Sequence, residues 1–256
     1  MRILVTGGFG MVGGYVQQVF SDYECLLVGR HEMDVSDKCK VMSVIRTFKP
    51  DIILHLAAGT NVDRCELEPD WAVKTNVVGT QNIILACKQY GALLVFLSSG
   101  AVFDGNKLEP YIETDFACPV NVYGKTKLEA ETLIALSFDR YLIVRAGWMI
   151  GGGSKDIKFV GKIIPSMLKS GSIKAVNDKF GSITYAKDLL LGIKQLLLMD
   201  VSGIYHMVNP GMISRYDLAL EIKNIISLNN VDIIPVSSDA FVLPAPRGRS
   251  EALENS

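Results

Sequence analysis

The chain opens Arg2-Ile3-Leu4-Val5-Thr6-Gly7-Gly8-Phe9-Gly10-Met11-Val12-Gly13. An apolar run, Ile3 to Val5, feeds straight into a glycine-rich turn, after which Met11, Val12, Tyr15, Val16 and Val19 recur at helical spacing. Strand, tight turn, helix is the order that opens a dinucleotide-binding βαβ unit. Gly7 is expected to let the chain leave the strand sharply. Gly10, lacking a Cβ, leaves room for a pyrophosphate, and Gly13 allows close packing of the helix. Met11 and Val12 fall at the helix N-terminus, where free N–H groups and the positive dipole end favour phosphate. The spacing is Gly7-x-x-Gly10-x-x-Gly13 rather than G-x-G-x-x-G, and taken alone it also suits a turn that binds nothing.

Outward from this turn, strands and helices alternate. Glu24 to Gly29 reads as a second strand ending in Gly29-Arg30, then Asp34-Val35 and a helix from Ser36 to Phe48. An acidic residue at this strand end would take the ribose 2′-hydroxyl of NAD, whereas an arginine pairs with a 2′-phosphate through its planar fork. Arg30 therefore favours NADP(H), with NAD(H) as the alternative. Ile52-Ile53-Leu54-His55-Leu56 is apolar enough to be buried on both faces, and Ala57-Ala58-Gly59 at its end leaves space for a ligand. Trp71 to Tyr90 reads as one long helix with Asn76 near its middle. Leu93 to Leu97 is a strand ending in Ser98-Ser99-Gly100, Asn121 to Ser137 a helix, and Tyr141 to Val144 another strand. The expected fold class is α/β, a Rossmann-type doubly wound parallel sheet.

After Gly151-Gly152-Gly153 the rhythm changes. Helices are expected at Lys158–Leu168, Ala186–Met199 and Ser214–Ser227, the last with Ser214 as N-cap. Short strands are expected at Lys174–Val176, Ile204–Met207 and Ile233–Ile234, and the tail from Leu243 to Arg249 reads as irregular. Residues 1–150 form the nucleotide-binding part, joined by 177–210. Residues 151–256 are mainly a small C-terminal substrate-binding lobe over the strand ends.

Composition bounds the function. At 256 residues, 49% hydrophobic and a formal net charge of -1, the chain has a substantial core and no charge suited to nucleic acid or an anionic membrane. The Gly turn interrupts the first apolar stretch too early for a signal peptide, and no run of about 18 apolar residues suggests a membrane span. Five scattered cysteines without C-x-x-C spacing suit reduced thiols in a cytoplasmic protein. Three dispersed histidines, His31, His55 and His206, suggest no metal site.

Tyr123-Gly124-Lys125-Thr126-Lys127 places Tyr123 and Lys127 on one helix face. A nearby ammonium is expected to lower the tyrosine pKa towards a useful range. Ser99, at the end of a preceding strand, can bind the same substrate oxygen, and Asn76 can hold a water or backbone group that supports Lys127.

Gly7-x-x-Gly10-x-x-Gly13, Asn76, Ser99, Tyr123 and Lys127 together resemble the extended short-chain dehydrogenase/reductases. Within them the likeness is to the dTDP-4-dehydrorhamnose reductase-like group. Ser98-Ser99-Gly100-Ala101-Val102-Phe103-Asp104-Gly105 resembles that group's Ser-Thr-Asp-Tyr-Val-Phe-Asp-Gly, Arg145-Ala146-Gly147-Trp148 its Arg-Thr-Ser-Trp, and Asp178 to Thr184 its Asp-Gln-Phe-Gly-Ser-Pro-Thr. The resemblance implies NADPH-dependent reduction of the 4-keto group of a nucleotide-linked 4-keto-6-deoxyhexose. Tyr123 would protonate the alkoxide, Lys127 hold the cofactor ribose and the tyrosine, and Ser99 stabilise the oxyanion. Cofactor contacts are expected from Gly7, Gly10, Met11, Val12, Gly13, Arg30, Asp34, Val35, Ala57, Ala58, Asn76, Tyr123 and Lys127. Substrate contacts are expected from Ser99, Phe103, Trp148, Phe180, Thr184 and Arg247, with Arg247 or Lys179 at the diphosphate. A homodimer is the assembly the resemblance brings.

Gly100-Ala101 replaces the group's Asp-Tyr, Ile183 its proline, and Pro246 to Ser250 follows its Arg-Pro ending loosely, so the particular sugar stays open. A dehydratase would need acid and base after Ser99, which Gly100-Ala101 lacks. A sugar-nucleotide epimerase and a non-catalytic NADP-binding regulatory subunit remain as alternatives.

Overall fold

The computed structural model describes residues 1–255. The first strand, β1 (Arg2–Thr6), runs into the glycine turn, but the helix beyond it is shorter than the periodicity predicts. Gly13–Tyr15 forms a tight 3₁₀ turn and α1 (Val16–Val19) is one helical turn. Adjacent Gly13 and Gly14 weaken helix propagation.

β2 (Glu24–Val28), α2 (Lys38–Phe48) and β3 (Ile52–His55) follow. Asp37 caps α2 by accepting from the Lys40 N–H at 3.1 Å. Two short helices, α3 (Val62–Leu67) and α4 (Pro69–Ala72), lie before the expected long helix. That helix is not uniform. Val73–Val78 is a wide π turn, and only from Gly79 does a regular helix, α5 (Gly79–Tyr90), run on. β4 (Leu93–Ser99), α6 (Val122–Ala135) and β5 (Leu142–Ala146) complete the first part.

The chain continues with β6 (Trp148–Ile150), α7 (Phe159–Lys169), β7 (Ser172–Val176), β8 (Phe180–Gly181), β9 (Ile183–Tyr185), α8 (Ala186–Met199) and β10 (Gly203–His206). The last elements are β11 (Ile213–Ser214), α9 (Arg215–Ile225), β12 (Asp232–Val236) and β13 (Ser250–Glu251). Ser214 does cap α9, accepting from the Asp217 N–H at 3.0 Å.

Six parallel strands build the main sheet in the order β2-β1-β3-β4-β5-β10. Burial on both faces explains their continuous apolar runs. Leu4, Ile53, Leu94, Phe96 and Ile143 pack beneath α2, α5 and α6. Ile3, Val5, Leu54, Val95 and Val144 pack on the other face against Val16, Leu189 and Ile193. The order reverses between β1 and β3, so a crevice opens at their carboxyl ends.

A second core holds Ile163 and Met167 of α7, Leu218 and Ile222 of α9, and Ala175 and Ile233 of the parallel pair β7–β12. Two small sheets, β6–β9 and β11-β8-β13, join this lobe to the main sheet. They were not legible in advance, being two or three residues long. Among the described residues no helix is long and apolar enough to cross a membrane.

Candidate active site

Gly7, at φ 65°, turns the chain out of β1, and a Cβ there would lie 2.9 Å from the Ala57 nitrogen. Only glycine allows β1 and β3 to end this close together. A Cβ on Gly13 would strike the Gly8 carbonyl, so Gly13 serves the compactness of the turn itself rather than helix-on-strand packing.

The crevice between these strand ends is a cleft of about 580 Å³. Gly7, Gly10, Met11, Val12 and Gly13 form one wall and Ala57 and Ala58 another. Arg30, Asp34 and Val35 line the far end. Arg30 pairs with Asp34 at 3.2 Å yet keeps a side chain 71% exposed, free to meet an anion. Trp71, Thr75 and Lys158 also line this cleft. Lys158 reaches across from the lobe and donates to the Thr60 carbonyl and hydroxyl, each at 3.1 Å. Burial holds its pKa below the ordinary lysine value. Sequence reasoning missed both Trp71 and Lys158, whose positions follow from the folding of loops.

Asn76 sits in the π turn, buried, and does not line the cleft. Its carbonyl oxygen accepts from the Gly59 N–H at 2.7 Å and its amide donates to the Thr126 hydroxyl at 3.0 Å. Thr126 in turn donates to the Tyr123 carbonyl at 2.8 Å. Asn76 thus ties the cleft wall to the helical turn that carries Tyr123, where a cofactor contact was expected.

Asn121 caps α6 by accepting from the Gly124 N–H at 2.9 Å. A Cβ on Gly124 would strike the Ala101 carbonyl, so the start of α6 lies directly against the segment after Ser99. The Ser99 hydroxyl acts on the Tyr123 phenol and draws its pKa down. Burial nonetheless pushes the phenol up to about 12, with Cys65 and Glu251 adding to the rise. The expected lowering by Lys127 is not what the chain's own groups produce. Lys127 is itself buried and pulled down to about 7, an effect the Glu131 carboxylate partly offsets. Its Nζ donates to the Leu97 carbonyl at 2.7 Å and lies 3.9 Å from the Phe96 ring centroid. A phenol with a raised pKa is a proton donor that stays protonated across the neutral range.

A second cleft, about 380 Å³, opens between the lobe and the tail. Trp148, Phe180, Lys179 and Arg247 line it. Arg247 pairs with Asp63 at 2.9 Å, and Lys179 donates to the Arg247 carbonyl at 3.0 Å. Arg215 and Glu251, which sequence reasoning missed, line it as well. Phe103 and Thr184 have structural places instead. Phe103 stacks on Tyr111 at 4.2 Å in a buried cluster. Thr184 accepts from the Gly147 N–H and donates to the Met207 carbonyl, joining β9 to its neighbours.

A doubly wound sheet with a glycine turn at its switch point, Ser99 at the end of β4, and Tyr123 and Lys127 on α6 packed against the segment after it, is the arrangement of an extended short-chain dehydrogenase/reductase. The chain belongs to the RmlD substrate binding domain family, whose model matches residues 1–256. It is 33% identical over 230 residues to a dTDP-4-dehydrorhamnose reductase of Aggregatibacter actinomycetemcomitans, covering 86% of this chain and 78% of that one. A spore coat polysaccharide biosynthesis protein of Bacillus subtilis is 32% identical, covering 96% and 86%. Among solved structures, a dTDP-4-dehydrorhamnose reductase of Bacillus anthracis in complex with NADP superposes with a TM-score of 0.94 at 30% identity, covering 100% of this chain and 90% of that one.

Proposed function

We propose that the chain reduces the 4-keto group of a nucleotide-linked 4-keto-6-deoxyhexose with NADPH. The observation that carries this reading is the buried Tyr123 phenol, on which the Ser99 hydroxyl and the Glu251 charge both act. Leu97, whose carbonyl holds Lys127, lines the first cleft, and Glu251, whose charge acts on Tyr123, lines the second. The relatives named as dTDP-4-dehydrorhamnose reductases, and the NADP complex of one of them, support it.

The first cleft fits the dinucleotide. A Cβ on Gly10 would meet only the Gly7 carbonyl, at 3.2 Å, so the turn is open to a pyrophosphate. Arg30 and His31 place positive or donor groups at the β2 end, where a 2′-phosphate would lie. Bound there, NADPH supplies a hydride. Tyr123 gives its phenolic proton to the developing alkoxide, and the Ser99 hydroxyl donates to the same oxygen. Lys127 holds the base of this pair through the β4 carbonyl and, when charged, the cofactor ribose. Lys179 and Arg247 face the substrate diphosphate. Residues 1–150 with 177–210 serve the cofactor, and the remainder of 151–256 the sugar nucleotide. A cytoplasmic homodimer is part of the same reading, and sedimentation velocity separates it from a monomer.

The test is NADPH and NADH oxidation with a panel of nucleotide-linked 4-keto-6-deoxyhexoses. Consumption with one member is expected. Tyr123→Phe should cut turnover about 10²- to 10⁴-fold while NADPH still binds. Tight NADPH binding without consumption on any member would replace the reductase with a binding subunit.

A further inference from the structure

Glu251 occupies a place in the substrate cleft that neither the glycine turn nor the Ser-Tyr-Lys set explains. It ends β13, which pairs with β8 in parallel, Glu251 opposite Gly181. Its backbone runs close to the Ser99 segment, since a Cβ on Gly100 would lie 2.9 Å from the Glu251 carbonyl oxygen. Its side chain turns to Trp148, whose indole N–H donates to Oε2 at 3.1 Å. Gly181 is what lets the indole lie there, because a Cβ at that position would strike the ring.

Arg215 stacks on the Trp148 ring, its guanidinium 3.4 Å from the ring centroid and 4.9 Å from that of Phe159. Arg215 is stacked rather than paired, and burial draws it down to about 10 while the Glu251 charge pulls it back up. The second oxygen, Oε1, takes part in no hydrogen bond among the described residues, and Glu251 lines the cleft. A carboxylate oxygen free at a binding cleft accepts from hydroxyls, and gains from being charged.

We propose that Glu251 is a specificity-determining residue, its Oε1 accepting a hydrogen bond from a ring hydroxyl of the bound sugar. Trp148 and Arg215 fix the carboxylate so that this acceptor faces the cleft beside Ser99 and Tyr123. The sugar ring is thereby oriented by an acceptor, while the nucleotide diphosphate is held elsewhere, towards Lys179 and Arg247. This deepens the reductase reading and rests on its sugar-nucleotide class.

The test measures binding, so it does not depend on turnover. Calorimetry would compare dTDP, dTDP-L-rhamnose and the 2-deoxy and 3-deoxy forms of that sugar nucleotide. The proteins are wild type, Glu251→Ala and Glu251→Gln. Glutamine is informative because the Trp148 N–H demands its carbonyl oxygen, which leaves an NH₂ donor where Oε1 accepted. Both variants should bind dTDP-L-rhamnose about 10- to 100-fold more weakly and dTDP unchanged. One deoxy form should lose affinity in wild type by a similar factor and lose nothing further in the variants.

Equal weakening of dTDP and dTDP-L-rhamnose would overturn the proposal, as would variants that still discriminate the deoxy form. Unchanged NADPH affinity and urea midpoint in Glu251→Gln would show that the fold is intact. Absence of NADPH oxidation in the separate turnover assay would count against the reductase, whereas loss of deoxy discrimination would still support Glu251 as the sugar contact.

Discussion

Glu131 and Arg145 meet as a buried ion pair at 2.7 Å, their side chains 3% and 5% exposed, directly behind the strand that carries Ser99. Arg145 Nε also reaches both carboxylate oxygens, at 3.1 and 3.2 Å, and the Ser98 hydroxyl donates to Oε1 at 2.5 Å. Ser98 and Ser99 point to opposite faces of β4. Glu131 lies one helical turn beyond Lys127. The pair thus pins β4, α6 and β5 together behind the three residues proposed for chemistry.

Breaking one side of this pair leaves a buried charge. Arg145 has no slack, since its Nη1 is already buried without a partner. Glu131→Gln should cost about 3–5 kcal/mol in urea unfolding, and Glu131→Leu combined with Arg145→Met should recover most of it. A double variant no more stable than the single one would show that shape, not charge, is what the site requires.

Asn76 gives a second prediction. Alanine there strips the partner from the buried Gly59 N–H and from the Thr126 hydroxyl. A loss of about 1–3 kcal/mol is expected for the Gly59 N–H left unpaired, while Thr126 keeps its bond to the Tyr123 carbonyl. Because Gly59 lines the cofactor cleft, NADPH affinity should fall as well. Full NADPH affinity in Asn76→Ala, measured by fluorescence titration, would mean that the π turn holds the wall without the side chain.

Arg30 sets the third. Its pair with Asp34 is exposed and contributes little to stability, about 0–1 kcal/mol. Arg30→Ala should leave the urea midpoint nearly unchanged. NADPH affinity should drop about 10-fold or more, as expected for a charge-assisted bond, with NADH affinity unaffected. Equal loss for both cofactors would remove Arg30 from the 2′-phosphate.

The sequence made the doubly wound parallel sheet readable because strands buried on both faces must be continuously apolar, as in Ile52 to Leu54. It also pointed to Tyr123 and Lys127 through their i, i+4 spacing within α6, and to Ser99 at the end of β4. What it hid is tertiary. The π turn around Asn76 arises where the side chain must reach Gly59 and Thr126 at once, and Thr80 caps the Asn76 carbonyl at 2.6 Å. Glu251 and Arg215 meet across Trp148 only after β13 docks on β8, a pairing of two residues with no period to detect. The tyrosine pKa was misread because a helical i, i+4 spacing says nothing of burial, which dominates it.

His55 carries the last prediction. Its Nδ1 lies 2.7 Å from the Thr6 hydroxyl and its Nε2 3.2 Å from the Thr80 hydroxyl. Thr80 donates to the Asn76 carbonyl, so it accepts from Nε2–H. Thr6 must then donate to Nδ1, while it accepts from the Ala57 N–H at 3.1 Å. The network is complete for a neutral imidazole and has no place for a second proton. Burial, with the Lys127 charge adding to it, lowers the pKa to about 3 from an ordinary 6.5. Between those values the unfolded chain binds a proton that the folded chain refuses. The stabilisation is fully present above pH 6.5 and is lost as pH falls towards 3. Each unit in that window costs about 1.4 kcal/mol for one proton. His206, also lowered by burial, pulls the same way. His55→Asn should therefore be less stable than wild type at neutral pH, yet lose less stability on acidification, with the two curves converging as pH falls. Parallel curves in urea unfolding across this window would show that His55 takes up its proton in the folded state.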